Sequence, residues 1–284
     1  MKTYSKKPAD NEKANIIFCP VCGSSFEYHS HLYDFKDFSF KKCTKCSLIM
    51  QNPQPVFTDL SERYDKDYFK YEIENEEAFF FLMTLALSDI GFETLDFSND
   101  SSRRILDVGC ATGRFLHEFK GNGWEVAGIE ICKEAADYGN KNRKVNIHNC
   151  TLEEARFTEK SFTVVHASHL IEHLNDPVLF LREVYRILKD NGYLIIVTPN
   201  IRSFQGFIFR SEWRSAIADH LFLYSLNALE KLCSSNGFNL LRKGTWGGLA
   251  KGKAPDFIKK IFDNAAKKAG LGDVMVMLFQ KKPL

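Results

Sequence analysis

The sequence predicts an α/β protein: a seven-stranded, doubly wound parallel sheet with helices on both faces, preceded by a small N-terminal zinc ribbon. Three observations carry this. From Arg103 onward, short apolar runs alternate with helical segments in the βαβα order of a parallel sheet. The first of those strands ends in a glycine-rich turn, Asp107-Val-Gly109-Cys110-Ala111-Thr-Gly113, where the backbone can approach a ligand at the start of a helix. Ahead of it stand two CxxC pairs, Cys19/Cys22 and Cys43/Cys46, separated by 20 residues. That spacing can place four thiolates around one zinc ion.

The ribbon is expected to span residues 1–57. Each two-residue spacer folds both sulfurs of a pair onto one ion, and Gly23 suits the tight turn after the first pair. So short a segment holds little core, and a metal crosslink supplies what packing cannot. Four cysteine ligands leave no open position, so the zinc is expected to be structural. Two disulfides or a redox CxxC are the alternatives, and no βαβ pattern around the pairs supports the redox one. QNPQP, residues 51–55, punctuates the end of the ribbon. Residues 58–100 form a helical linker or lid, mainly helical from Thr58 to Asp89. Its run AFFFLMTLAL (78–87) predicts a well-buried helix, with a substrate lid or dimer face as the other reading. The polar DFSNDSS (96–102) leads into a third region, 101–284.

In that region RRILDVGC is the first strand and TGRFLHEFKGNG a helix closed by Gly121 to Gly123. WEVAGIEI and KEAADYGNKN make the second strand and helix, VNIHNC a weak third strand, and SFTVVHAS the fourth. Asp176-Pro177 supplies an N-cap and a first-turn proline to the helix VLFLREVYRILKDNG. YLIIVTPN is the fifth strand, SLNALEKLCSSNG a helix, FNLLRKGTW the sixth strand and VMVMLFQKK the seventh.

Composition narrows the function. The 284 residues are 44% hydrophobic and 26% charged, ordinary globular values. A net charge of +2 gives no strong general attraction to nucleic acid or an acidic membrane. The longest apolar run is about half of what a membrane span needs. The polar N-terminus does not read as a secretory signal. Eight cysteines without such a signal favour a reducing, cytoplasmic setting. The chain is expected to act as a monomer or homodimer.

The glycine turn is not a dinucleotide fingerprint: Ala111 and Arg114 stand where G-x-G-x-x-G needs glycine, and Asp107 would repel a pyrophosphate. It would attract a ligand with cationic groups instead. Glu130, ending the second strand, can accept both hydroxyls of a ribose. With ILDVGCATGRF, VAGIEI, SFTVVHASHLIEHLNDP, FLREVYRILKDNGYLIIVTPN and HLFLYSLNALEKLCSSNGF, the chain resembles the Rossmann-like class I S-adenosylmethionine-dependent methyltransferases from about Arg103 to Leu284. The resemblance implies that Asp107, Gly109, Cys110, Ala111 and Gly113 surround the methionine part of the cofactor. Glu130 then holds the ribose and Ile131 lies against the adenine, with Thr151, Leu152 and Ser168 nearby. Departures are Ala111 for a glycine, Thr151 for an adenine-facing Asp and Thr163 for the Asp of an "FDVV" strand. The front end, CPVCGS and KKCTKCSLIMQNPQP with a helix containing YDKDYF, is similar to the zinc module of methyltransferases of sugar and surface-polysaccharide biosynthesis.

SHLIEHLNDP puts His169, Glu172 and His173 at i, i+3 and i+4, on one face if helical. Methyl transfer from a sulfonium needs donor and nucleophile aligned, and a hydroxyl nucleophile gains from a base. By the resemblance this segment overhangs the acceptor pocket. Ubiquinone-pathway and small-RNA methyltransferases carry E-x-x-E-H and a distant His here, as ligands of a divalent metal. This chain has H-x-x-E-H, with His220 as the distant candidate. Three readings stand: pocket chemistry with His173 or His220 as base, a loop-orienting role for Glu172 and His173, and a metal on His169, Glu172, His173 and His220. The metal ranks below pocket chemistry because His169 replaces a carboxylate; it would be zinc, manganese or iron and not magnesium. Trp213 and Arg214 are candidates for shaping the acceptor site. Tyr64 and Tyr68, at helical spacing, read as packing residues, and Cys132, Cys150 and Cys233 as buried small ones. The C-terminal lysines (251, 253, 259, 260, 267 and 268) read as a solvated face.

The expected function is methyl transfer from S-adenosylmethionine to a small molecule, most simply to a hydroxyl of a sugar, sugar nucleotide or related intermediate. The alternatives are an RNA methyltransferase with a zinc ribbon and an inactive zinc-bearing interaction protein. The charge balance and the lack of an aromatic-basic stripe count against the RNA reading.

Overall fold

The computed structural model describes residues 13–56, 64, 66–97, 102–248 and 256–283. The expectations for residues 1–12, 58–63 and 98–101 and for Lys251 and Lys253 lie outside them. The N-terminal part holds β1 (Lys13–Ala14), β2 (His29–Asp34), β3 (Ser39–Cys43), β4 (Ile49–Gln51) and β5 (Gln54–Pro55), followed by the long helix α1 (Lys66–Asp89). Strands and helices then alternate: β6 (Arg104–Val108), α2 (Arg114–Gly121), β7 (Glu125–Ile129), α3 (Lys133–Tyr138), β8 (Ile147–His148), β9 (Phe162–Ser168), α4 (Pro177–Ile187) and β10 (Leu188–Pro199). They continue with α5 (Phe204–Phe209), β11 (Phe222–Leu223), α6 (Leu226–Ser235), β12 (Phe238–Trp246), α7 (Asp256–Ala269) and β13 (Val274–Lys281).

Seven of these strands form one sheet, in the order β12-β13-β10-β9-β6-β7-β8. From β10 to β8 every pairing is parallel, so the carboxyl ends of β6, β7 and β9 share one edge. The expected all-parallel sheet needs one correction: β13 lies between β10 and β12 and runs antiparallel to both. VMVMLFQK is apolar almost throughout because both faces are covered, and such a run records burial without recording direction. The N-cap reads as expected, with the Asp176 carboxylate accepting from the backbone N–H of Val178 and Leu179 at 3.0 and 2.9 Å.

Two findings were not in the sequence reading. The ribbon's sheet has four strands, β11-β4-β3-β2, and β11 comes from far along the chain, after β10. Cys19, Cys43, Leu48 and Met50 accordingly share a core cluster with Val184, Leu229 and Cys233. The second finding concerns α1, which is not well buried. Ala86 is buried and Phe80, Met83 and Leu87 pack on the core, but Phe81 is 60% and Leu85 41% exposed. The apolar run covers more of the helix than one packed stripe can use.

Candidate active site

The turn after β6 builds the end expected to hold the cofactor. Gly109 and Gly113 take φ of 76° and 71°, and Ala111 sits at 47° in the left-handed region where glycine costs nothing. A Cβ on Gly113 would come within 2.8 Å of Val145 and 2.9 Å of Ile147. The N–H groups of Gly109 and Cys110 both donate to Ile129 O, pinning the turn to the end of β7. Glu130 follows immediately. Its two carboxylate oxygens accept from Ala111 N at 2.8 Å and Cys132 N at 2.7 Å. Each oxygen keeps a further lone pair for a hydroxyl. Burial pushes this carboxyl up to about 7, against the two N–H bonds. Asn149 donates to the carbonyls of Glu130 and Ile131, both at 2.9 Å, and fixes the strand end.

Asp107 is buried and paired: its Oδ1 lies 2.7 Å from Nδ1 of His166, and the parallel register sets the two residues side by side on β6 and β9. The imidazole stacks on Phe115, with centroids 4.5 Å apart. Cys110 is buried behind the turn. Leu152 is in the core, and Ile131 and Ser168 are half-buried at their strand ends. Thr151 makes a reciprocal cap with Glu154: its N–H donates to the carboxylate at 2.9 Å and its hydroxyl accepts from Glu154 N at 3.3 Å. At Thr163, where an Asp was expected, the hydroxyl accepts from Arg104 N at 3.1 Å and bridges the starts of β6 and β9.

Helix α1 lies across this end. Glu76 accepts from the Thr112 hydroxyl at 3.0 Å and from Arg143 at 2.7 Å, while Arg143 also donates to Thr112 O. One turn earlier Glu72, hydrogen-bonded to Tyr68, faces Glu130, and burial with that neighbouring carboxylate raises its carboxyl to about 8. Tyr68 is half-buried and packs edge-on against Tyr64, with centroids 5.0 Å apart, near Glu72 and Glu130.

The end expected to face the acceptor is assembled from separated segments. SHLIEHLNDP holds a single 3-10 turn at Ile171–His173, not an α-helix, and His169 is left-handed at φ 51°. Glu172, His173 and His220 nevertheless meet, each offering one ligand atom within 4.8 Å of the others. His169 is not in that mutual group; it is half-exposed, with Nδ1 3.2 Å from Glu172 Oε1. Glu172 is fully enclosed and also accepts from the Thr198 hydroxyl at 2.9 Å. Burial would raise its carboxyl, but the hydrogen bond from His169 and the fields of His169, His173 and His220 pull it down to about 2. Nδ1 of His173 lies 2.8 Å from Asp219 O, and Nδ1 of His220 lies 2.7 Å from Ser215 O. A carbonyl only accepts, so both rings carry the proton on Nδ1, and Nε2 is the nitrogen able to ligate or take a proton. Burial lowers the pKa of His220, against the opposing field of Glu172.

Trp213 and Arg214, the candidates for shaping the acceptor site, share one partner. The indole of Trp213 is buried and donates to Asp273 at 2.6 Å, and Arg214 pairs with the same carboxylate, so both are tied into the fold. Lys259 and Lys267 are paired with Asp263 and Asp89. Cys132 and Cys233 are buried and Cys150 half-buried.

Cys19, Cys22, Cys43 and Cys46 form a second cluster, with Sγ atoms mutually within 4.8 Å and free of disulfides. The Cys19–Cys46 and Cys22–Cys43 distances are 3.5 and 3.6 Å. The edge of a ZnS4 tetrahedron with bonds of about 2.3 Å is close to this, about 3.8 Å. The hydrogen bond between Cys19 and Cys46 favours the thiolate on Cys46 and the thiol on Cys19.

Residues 84–243, more than half of the chain, match the methyltransferase-domain family. This chain belongs to that family. The ubiquinone biosynthesis O-methyltransferase of Rickettsia typhi is 32% identical over 120 residues, 40% of this chain and 48% of that one. The Pelagibacter ubique enzyme of the same name is 30% identical over 110 residues, 37% and 45% of the two chains. The match thus spans about half the length of these curated relatives. Among solved structures, a SAM-dependent methyltransferase of Thermotoga maritima, described as a possible histamine N-methyltransferase, has a TM-score of 0.56 at 23% identity. It covers 75% of this chain and 98% of its own. One from Archaeoglobus fulgidus gives 0.53 at 19%, covering 75% and 99%. The fold is that of class I S-adenosylmethionine-dependent methyltransferases.

In this methyltransferase the sequence reading missed His166, Glu72, Glu76 and Gln51. His166 left a signal, since a titratable residue within an apolar strand wants a partner. Glu72 and Glu76 are spaced i, i+4, which places them on one helix face without saying what that face meets.

Proposed function

We propose that this methyltransferase carries the methyl group of S-adenosylmethionine to a hydroxyl oxygen of a small molecule placed against Glu172, His173 and His220. The observation that carries the reading is the donor set itself: one buried carboxylate and two imidazoles with Nδ1 tied to carbonyls. The same set fits a divalent ion such as zinc, manganese or iron, contrary to the lower rank the sequence reading gave a metal. Such an ion supplies Lewis acidity that makes the acceptor hydroxyl more acidic. Glu172, His173 and His220 would hold it, and Thr198 would fix the carboxylate. His169 donates Nδ1–H to Glu172, so its Nε2 can take the hydroxyl proton. The oxygen attacks the methyl carbon in line as the carbon–sulfur bond breaks, releasing S-adenosylhomocysteine.

At the donor end the turn from Asp107 to Gly113 would receive the methionine part, Glu130 the ribose hydroxyls, and Ile131, Thr151, Leu152 and Ser168 would border the adenine. Residues 58–100 would act as a lid on that end, 101–284 as the catalytic domain, and 1–57 as a ribbon around structural zinc. The zinc reading is supported by the four clustered sulfurs and implies a reducing compartment such as the cytoplasm; no helix among the described residues is long and apolar enough to cross a membrane. The relatives' names support oxygen as the acceptor atom, in ubiquinone biosynthesis, and give no support for a sugar. The ribbon's likeness is what keeps sugars and sugar nucleotides on the test panel.

The test is incubation with methyl-labelled cofactor, a divalent metal and a panel of hydroxylated aromatics, sugars and sugar nucleotides, with products read by mass spectrometry. The reading expects an O-methyl product that disappears when the metal is chelated. Label appearing in RNA, or calorimetry without S-adenosylmethionine binding, would replace it by one of the two alternatives.

A further inference from the structure

Gln51 opens QNPQP, the stretch expected to punctuate the end of the ribbon. It is one of the most enclosed polar side chains of the molecule, at 1% exposure. Its carboxamide nitrogen lies 2.6 Å from Ala218 O, 2.9 Å from His220 O and 3.4 Å from Ile217 O. Two N–H bonds therefore serve three carbonyls, all of them in the segment that carries His220. The backbone N–H of Gln51 donates to Leu221 O at 2.8 Å. Beyond it, Phe222 pairs with Met50 and Leu223 with Ile49, so β11 is an added strand on the ribbon's sheet.

The contact reaches the other ligand segment as well. Gln54 donates to Leu221 O at 3.3 Å, and Asn175, two residues past His173, donates to Gln54 Oε1 and Pro55 O at 3.4 and 3.0 Å. Leu221 N closes the circle by donating to Glu172 O at 2.7 Å. On its other edge β4 pairs with β3, and Cys43 N donates to the carbonyl of Leu48, two residues past the candidate ligand Cys46. The short path Cys46–Leu48–Gln51–His220 thus joins the two clusters of possible metal ligands.

We propose that Gln51 is a positioning residue through which the four-cysteine ribbon sets the placement of His220, and with it the metal affinity of the Glu172/His173/His220 cluster. The inference rests on the metal reading given above. The physical reason is that a histidine on a short irregular segment has a soft backbone. Here its own carbonyl and those of its neighbours are held by donors from a crosslinked ribbon, which fixes the imidazole before a ligand arrives.

The test is titration of the full chain carrying one equivalent of zinc, enough for the four cysteines alone, with Mn(II), which thiolates bind poorly, following the loss of the free-ion paramagnetic resonance signal. Gln51→Met keeps the length and removes both donors; Gln54→Met, which loses fewer contacts, serves if the first variant does not fold. S-adenosylmethionine affinity by calorimetry is the control for the rest of the fold. The dissociation constant for Mn(II) is expected to rise about 10- to 100-fold, with cofactor affinity changed less than about two-fold. Unchanged Mn(II) affinity in the folded variants would overturn the coupling while leaving the metal reading intact. A wild-type chain that binds neither Mn(II) nor Co(II) at the cluster would overturn the metal reading and this inference with it.

Discussion

The two ends of the proposed active site are built in opposite ways. The cofactor end is local: a turn of seven residues and the glutamate ending the next strand, joined by the bonds from Ala111 to Glu130 and from Gly109 and Cys110 to Ile129. The acceptor end has no such contiguity. Glu172 and His173 come from one loop, His220 from another, Thr198 from β10, and Gln51 from the ribbon. A ligand common to a whole family can be held by a motif that travels with two strands. An acceptor particular to one branch can be held by residues that only tertiary structure brings together, and an added ribbon can reshape that end without touching the other.

The largest expected effect breaks the ribbon. Cys43→Ser should remove the zinc proposed for the ribbon, measured by elemental analysis, and with it the seat of β11, lowering turnover by more than about 100-fold, because structural zinc supplies much of the folding energy of so small a unit. Retained turnover would make the ribbon an appendage. Next is His166→Leu at the cofactor end. It leaves the Asp107 carboxylate buried without its partner, which should cost about 3–5 kcal/mol in urea unfolding and weaken cofactor binding.

A smaller effect comes from Glu72. Its carboxyl is raised to about 8 from an ordinary 4.5, so the folded chain holds a proton that the unfolded chain releases. The resulting stability is complete below about 4.5 and is lost as pH rises through about 8. Glu72→Gln should therefore melt higher than wild type at pH 9 and alike at pH 5. A difference independent of pH would contradict the placement of Glu72 against Glu130. The smallest change is Ala111→Gly. Relief of the left-handed conformation, about 1 kcal/mol, is partly offset by the entropy of the unfolded glycine, so the melting temperature should shift by only a few degrees and cofactor affinity should not fall.

The same contrast explains what could be read beforehand. Asp107 to Gly113, Glu130 and the Asp176 cap were legible because they are short-range features with fixed spacing. The four cysteines were legible because two pairs have one economical geometry. Glu172, His173 and His220 could be named from the family pattern, but not weighed: what favours a metal is the pair of carbonyls on Nδ1, from Asp219 and Ser215, and no spacing reveals them. β11 and the direction of β13 were not legible, since two residues of strand leave no period and a doubly covered strand leaves no polarity. His169 and Glu172 do meet, but not as one helix face: His169 is left-handed and lies outside the 3-10 turn at Ile171–His173.

The central claim is that the two ends are separable, with methyl transfer dependent on Glu172. Glu172→Gln keeps the shape and the bond from Thr198 but removes the charge. Calorimetry with S-adenosylmethionine and single-turnover methyl transfer, run on this one variant, test the claim most directly. The account predicts cofactor affinity within about two-fold of wild type and transfer slowed by about 100-fold or more. Undiminished transfer, or cofactor binding lost along with it, would contradict the account.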